Sequence, residues 1–236
     1  MEALYLKIRD EIKQQIDGGV YREGEVLPPE GVLAEKFDVS RPTVRRAIQM
    51  LIDEGRLERR PHRGTVVCPP KIEQSFTTML RSFNDEMIQN GKDPHTRVIT
   101  ARRQIVPADI AGRMSLMAGS EVFRLVRLRY AGDEPNVIVA SYIPLDVYPD
   151  IESVDFTNTS LYDYFRQCGK PVVHAHRILD IFKAGANLAS VLDIEVGEPV
   201  YRFVTAASTE QGRVAEYTVA TYRGRSNAFE FDVSLV

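Results

Sequence analysis

A chain of 236 residues has room for one large domain or two small ones. Its 44% hydrophobic and 27% charged content excludes wholesale disorder. With 30 Lys and Arg against 33 Asp and Glu, the net charge of -3 argues, as an average, against nucleic acid, whose binders usually carry a positive surplus. No stretch approaches the roughly 20 apolar residues of a membrane span, and Met1–Tyr5 lacks the build of a signal peptide. Cys68 and Cys168 form neither a disulfide framework nor a metal spacing. These features describe a cytoplasmic protein with reduced thiols.

Leu4, Ile8, Ile12 and Ile16 recur every four residues, the stripe of a helix over 4–17 that stops at Gly18-Gly19. After a turn at Gly24 and Pro28-Pro29, residues Val32, Leu33, Ala34 and Phe37 predict a second, short helix. Ser40 stands where a third helix needs its N-cap, its hydroxyl placed to accept from the Thr43 amide. Pro42 suits a first turn. Val44, Ala47, Ile48, Leu51 and Ile52 give that helix its buried face, and Gly55 closes it. Two β-prone runs, 56–59 and 65–67, flank Pro61-His62-Arg63-Gly64 and predict a hairpin.

Pro69-Pro70-Lys71 reads as a linker, and the pattern changes beyond it. Helices are expected at 76–90, near 160–168 and at 186–192. Strands are expected at 96–106, 121–131, 136–143, 174–183, 199–208, 213–223 and 228–233. Long β-runs broken at Gly132-Asp133 and Gln211-Gly212 indicate an antiparallel sheet with helices. The fold class is therefore α+β, with domains at 1–68 and 75–236 joined by residues 69–74.

Helix, turn, capped helix and hairpin in that order describe a winged helix-turn-helix, and the local charge agrees. Residues 39–67 carry +4 while residues 1–38 carry −4, and DNA meets a surface rather than an average. Arg41 and Arg45 share one face of the third helix, with Thr43 near its start. An arginine fork can pair with guanine O6 and N7, and threonine with a base edge or a thymine methyl. Arg63 beside Gly64 at the hairpin tip suits a narrow minor groove.

Residues 5–67 resemble the DNA-binding domain of the GntR family of bacterial transcription regulators. The resemblance rests on Leu27-Pro28-Pro29-Glu30, Leu33-Ala34, Val39-Ser40-Arg41-Pro42-Thr43-Val44-Arg45 and Arg63-Gly64-Thr65. It implies DNA contacts from Arg41, Thr43, Arg45, Arg46, His62, Arg63 and Gly64. Where the family usually has Ser-Glu-Arg this chain has Pro29-Glu30-Gly31, and His62 stands where the wing usually has glycine.

In the second domain, Phe123, Leu125, Arg127 and Arg129 alternate with Val122, Val126, Leu128 and Tyr130. A strand apolar on both faces is buried, so the two arginines need an anionic partner, either an internal carboxylate or a bound anion. Glu216, Thr218, Ala220 and Tyr222 alternate on a late strand and line a cavity or face solvent. Ser75 can cap a helix whose free amides would suit an anion. His174 and His176 alternate on a strand without a carboxylate or cysteine at useful spacing, which argues against a metal. Cys168 reads as a small buried hydrophobe.

Residues 75–232 resemble the UTRA effector domain of the HutC subgroup, which has a chorismate-lyase-like fold. The matching stretches are Ser75-Phe76-Thr77, Arg127-Leu128-Arg129, Ser141-Tyr142-Ile143-Pro144, Ser160-Leu161-Tyr162, Gly197-Glu198-Pro199 and Tyr222-Arg223-Gly224. The resemblance implies an anion held by Ser75, Phe76, Thr77, Arg127, Arg129, Ser160 and Tyr162, with Glu216 and Tyr222 on the remainder. Val139 and Arg225 depart from the sugar-sensing pattern, so the expected effector is a sugar phosphate, phosphonate or organic acid. The implied function is a dimeric, ligand-responsive repressor of a near-palindromic operator, with no cofactor and no metal. The alternative is a chorismate-lyase-type enzyme with a DNA-binding tether, Glu216 serving as its acid.

Overall fold

Three helices and a hairpin build the first part of the molecule. The computed structural model describes residues 3–60, 63–69, 71–74 and 83–231, with only the backbone of Glu73. The chain divides into two units, Met1–Lys71 and Ile72–Val236. The first contains α1 (Leu4–Asp17), α2 (Glu30–Lys36), α3 (Arg41–Asp53), β1 (Leu57–Arg60) and β2 (Gly64–Val67). Its core joins Ile8 and Ile12 of α1, Leu33 of α2, and Val44, Ala47, Ile48 and Leu51 of α3 to Leu57 and Val67 of the hairpin. Each large apolar side chain so buried contributes roughly 1.5–3 kcal/mol.

Both ends of α3 follow from its sequence, one of them differently than expected. Gly55 takes φ +73°, the left-handed region that glycine enters without strain, and Arg56 N–H then donates to Leu51 O at 2.8 Å. Ser40 occupies the N-cap with extended backbone, but its side chain makes no capping bond to an amide. The Thr43 amide instead donates to the Ser40 carbonyl at 3.0 Å. The Ser40 hydroxyl is left to pair with the Thr43 hydroxyl at 2.8 Å. A tight first turn has used the amide that the cap would have taken.

The second unit runs β3 (Ile72–Gln74), α4 (Phe83–Gln89), β4 (Pro94–Ile105), α5 (Ala108–Arg113), β5 (Glu121–Ala131), β6 (Glu134–Pro144), a 3-10 turn (Ile151–Ser153), α6 (Leu161–Gln167), β7 (Val172–Lys183), α7 (Ala186–Leu192), β8 (Pro199–Thr209), β9 (Val214–Arg223) and β10 (Asn227–Phe229). Six strands form one sheet in the order β4-β5-β6-β9-β8-β7, every neighbouring pair antiparallel. The fold is α+β. Two layers cover the sheet. On one face, α6 packs through Leu161 and Phe165 against Phe123, Leu125 and Ile143, and α4 packs through Phe83 and Met87 against Val137, Val139 and Phe203. On the other, α5 meets Val122 and Tyr217, while α7 meets Leu128 and Val200.

Sequence periodicity missed α5 and β3. Ile72–Gln74, within the stretch read as a linker, pair in parallel with β10. Three buried amides fasten that pair. Gln74 Nε2 donates to Asn227 Oδ1 at 2.8 Å, and Asn227 Nδ2 donates to Asn136 Oδ1 at 2.8 Å. Cys168, expected to be buried, is exposed. It is the C-cap residue of α6, where the chain leaves the packed face. The helix expected over 76–90 is seen as α4 from Phe83, and the strand expected at 228–233 as β10. Residues 75–82 and 232–236 lie outside the described residues. Among those described, no helix is long and apolar enough to cross a membrane.

Candidate nucleic-acid interface and effector cavity

The exposed side of α3 is set by its own period: with Val44, Ala47, Ile48 and Leu51 turned inward, Arg41, Arg45 and Arg46 face out. The three arginines are not equivalent. Arg46 lies over the Tyr5 ring, 4.0 Å from its centroid. Arg45 donates through Nε to Glu30 Oε2 at 2.9 Å, with Nη2 2.8 Å from the same oxygen. That hydrogen bond and the Glu30 charge raise the guanidinium pKa of Arg45. Arg59 of β1 approaches the second Glu30 oxygen at 3.8 Å. Thr43 is half-buried beside Ser40. In the hairpin turn Arg63 is exposed, and Gly64 takes φ +99°. His62 lies outside the described residues.

Strand register builds a second site in the other unit, on the sheet face under α4 and α6. Arg127 of β5 stands opposite Val139 of β6, Val139 opposite Ala220 of β9, and Ala220 opposite Phe203 of β8. One row along, Ser141 faces Thr218, Thr218 faces Thr205, and Thr205 faces Arg177 of β7. Both rows line a cavity of about 110 Å³. Arg129, Glu216 and Tyr222 reach it from the sheet, Ser160 and Tyr162 from the start of α6, and Phe83 and Glu86 from α4.

Arg127 and Arg129 stand at one end of the cavity, and hydroxyls with Glu216 and Arg177 line the other. Arg127 is only 3% exposed, and its Nε and Nη1, like Nε of Arg129, have no hydrogen-bond acceptor. Among the described residues neither arginine forms an ion pair, although the Arg129 guanidinium lies 5.0 Å from the Phe83 ring centroid. Burial, then the neighbouring Arg129 charge, lowers the Arg127 pKa; burial also lowers that of Arg129. At the other end Thr218 Oγ1 donates to Glu216 Oε2 at 2.7 Å. The Thr218 proton being so committed, Ser141 is the donor across its 2.9 Å contact with Thr218. Burial, then Glu216, raises the Tyr162 phenol, and burial, then Glu86, raises that of Tyr222. Both phenols therefore stay neutral donors.

Six of the residues expected to bind effector, Arg127, Arg129, Ser160, Tyr162, Glu216 and Tyr222, share this one cavity. Ser160 also caps α6, accepting from the Asp163 amide at 3.5 Å. Ser75, Phe76 and Thr77 lie outside the described residues. Sequence reasoning did not reach Glu86, Thr205 or Arg177. Thr205 alternates with Phe203 on β8 and could have been read as a face, but nothing local marks Arg177. His174 and His176 are exposed on β7.

Comparison with known proteins bears on both sites. Residues 4–67 match the bacterial regulatory proteins of the gntR family, and residues 89–226 match the UTRA domain. The chain is 34% identical over 202 residues to the probable fructoselysine utilization operon transcriptional repressor of Escherichia coli K12, covering 85% of this chain and 82% of that one. It is 31% identical over 227 residues to the HTH-type transcriptional repressor NagR of Bacillus subtilis, covering 96% and 93%. The crystal structure of PhnF from Mycobacterium smegmatis superposes with a TM-score of 0.71 at 25% identity, covering 96% of this chain and 99% of that one. The chain thus belongs to the GntR family of bacterial transcription regulators, in the HutC subgroup that joins a GntR helix-turn-helix to a UTRA domain.

Proposed function

We propose that this regulator is a repressor that binds a near-palindromic operator as a two-fold dimer and changes its occupancy with a small anionic metabolite. The family is one of transcription regulators rather than enzymes, and the relatives named above are repressors. In this reading residues 1–68 bind DNA, 69–74 link, and 75–236 sense, all in the cytoplasm. Arg41, Thr43 and Arg45 meet base edges in the major groove, Arg46 stands beside them, and His62, Arg63 and Gly64 form the wing in the minor groove.

One observation carries the effector class: Arg127 and Arg129 line one cavity, and Nε and Nη1 of Arg127 and Nε of Arg129 are buried without an acceptor. A buried donor left unmade costs about 1–3 kcal/mol, so an anion filling that place gains more than one binding in water. Ser75, Phe76, Thr77, Ser160 and Tyr162 complete the grip, with Glu216 and Tyr222 holding the remainder of a sugar phosphate, phosphonate or organic acid. Such a ligand shifts operator occupancy only through unequal affinity for the DNA-competent and incompetent states, typically by about 1–3 kcal/mol.

Gel shifts on the DNA upstream of the gene, repeated with phosphorylated sugars, phosphonates and organic acids, test this reading. Arg127→Ala should keep DNA binding and lose the metabolite response. Loss of both would make Arg127 structural and remove the effector assignment.

A further inference from the structure

We infer that Glu30 and Gly31, the first two residues of α2, are positioning residues for DNA recognition: they fix where the guanidinium groups of Arg41 and Arg45 lie before DNA arrives. The inference rests on the reading of α3 as the recognition helix.

Glu30 Oε2 takes both Nε and Nη2 of Arg45, at 2.9 and 2.8 Å. That contact uses one side of the guanidinium. It leaves the Nη1 hydrogens and the outward Nη2 hydrogen without a partner among the described residues. Those outer hydrogens form the end-on pair of parallel donors that suits guanine O6 and N7. A free arginine must give up rotamer freedom to present this fork; here the carboxylate has already ordered it. Arg45 remains 62% exposed, so the ion pair contributes little to stability and serves placement.

Gly31 acts on Arg41 through space. A Cβ at position 31 would stand 3.1 Å from Arg41 Nη2 and 3.3 Å from Cζ and Nε. The Arg41 guanidinium therefore occupies the space over Gly31, and a side chain there would make it give by a few tenths of an ångström. Two adjacent residues of one helix thus set both arginines, one by an acceptor and the other by open space.

The test measures fluorescence anisotropy of the full chain on two labelled duplexes, one selected by the wild-type protein from a randomised pool and the other a shuffled copy. Glu30→Ala should lower the affinity ratio between them by about three- to tenfold. Glu30→Gln, which loses the charge but keeps an acceptor, should hold the ratio near wild type while binding both duplexes more tightly. Gly31→Ala should weaken the selected duplex without lowering thermal stability, since alanine favours a helix. If Glu30→Ala, like Glu30→Gln, moves both duplexes by one common factor and leaves the ratio unchanged, Glu30 is only a surface charge and the inference is overturned. Arg45→Ala separates the two levels: a ratio unchanged in that variant overturns the recognition-helix reading itself.

Discussion

Arg127 is buried and Arg129 half-buried, neither in an ion pair among the described residues, and the charge of Glu216 offsets only part of the cost of that burial. A buried charge without its partner destabilises a fold, and the proposed anion would supply that partner. Arg127→Met should leave the ligand-free protein as stable as wild type or more so, by about 1–3 kcal/mol, in urea unfolding. The same variant should lose stabilisation by anionic ligands. Tyr222 gives a pH counterpart. Its phenol is raised by burial and then by Glu86, so the folded state holds that proton more tightly than the unfolded chain does. Its contribution is full below the ordinary phenol value of about 10 and is lost as pH climbs toward the raised one. Alkaline unfolding followed by phenolate absorbance should show a shallower loss of stability in Tyr222→Phe than in wild type.

At the scale of elements, local pattern and long-range register divide the work. Gly224, just past β9, shows how tight the register is, because a Cβ there would collide with the Pro199 carbonyl oxygen. Gly224→Ala should cost about 1–3 kcal/mol and lower the melting temperature. α3 was legible except for its cap, where the Ser40 hydroxyl pairs with Thr43 Oγ1 instead of an amide: its stripe at 44, 47, 48 and 51, Pro42 in the first turn and Gly55 at its end are all local signals. Long strands with clear alternation were legible for the same reason. The cavity was legible only in halves. Alternation put Arg127 and Arg129 on one face and Glu216 through Tyr222 on another, but whether those faces coincide depends on Val139 pairing with Ala220, about eighty positions away. No local period encodes such a pairing. α5, six residues long, is too short to show a period, and β3 is a strand only because β10 lies beside it.

For the whole molecule, charge distribution matters more than net charge. The helix-and-hairpin segment carries +4 within a chain of net −3, while residues 68–236 contribute −3. If α3 reads bases as proposed, specific binding adds base contacts to the phosphate attraction that non-specific binding shares. Non-specific affinity is the more purely electrostatic of the two and falls with counterion concentration. Anisotropy at rising KCl should therefore widen the gap between operator and shuffled duplex, whereas a parallel decline would show phosphate contacts dominating both.

The amide ladder joining Gln74, Asn227 and Asn136 has a consequence for ancestry as well as for folding. It puts the first described strand of the second unit, β3, alongside the last, β10, so the two are laced together. A module closed at its own seam can be grafted behind another reader of DNA without stretching the sheet between the cut points. Recombination could then trade sensors among regulators as cassettes, with the seam travelling along.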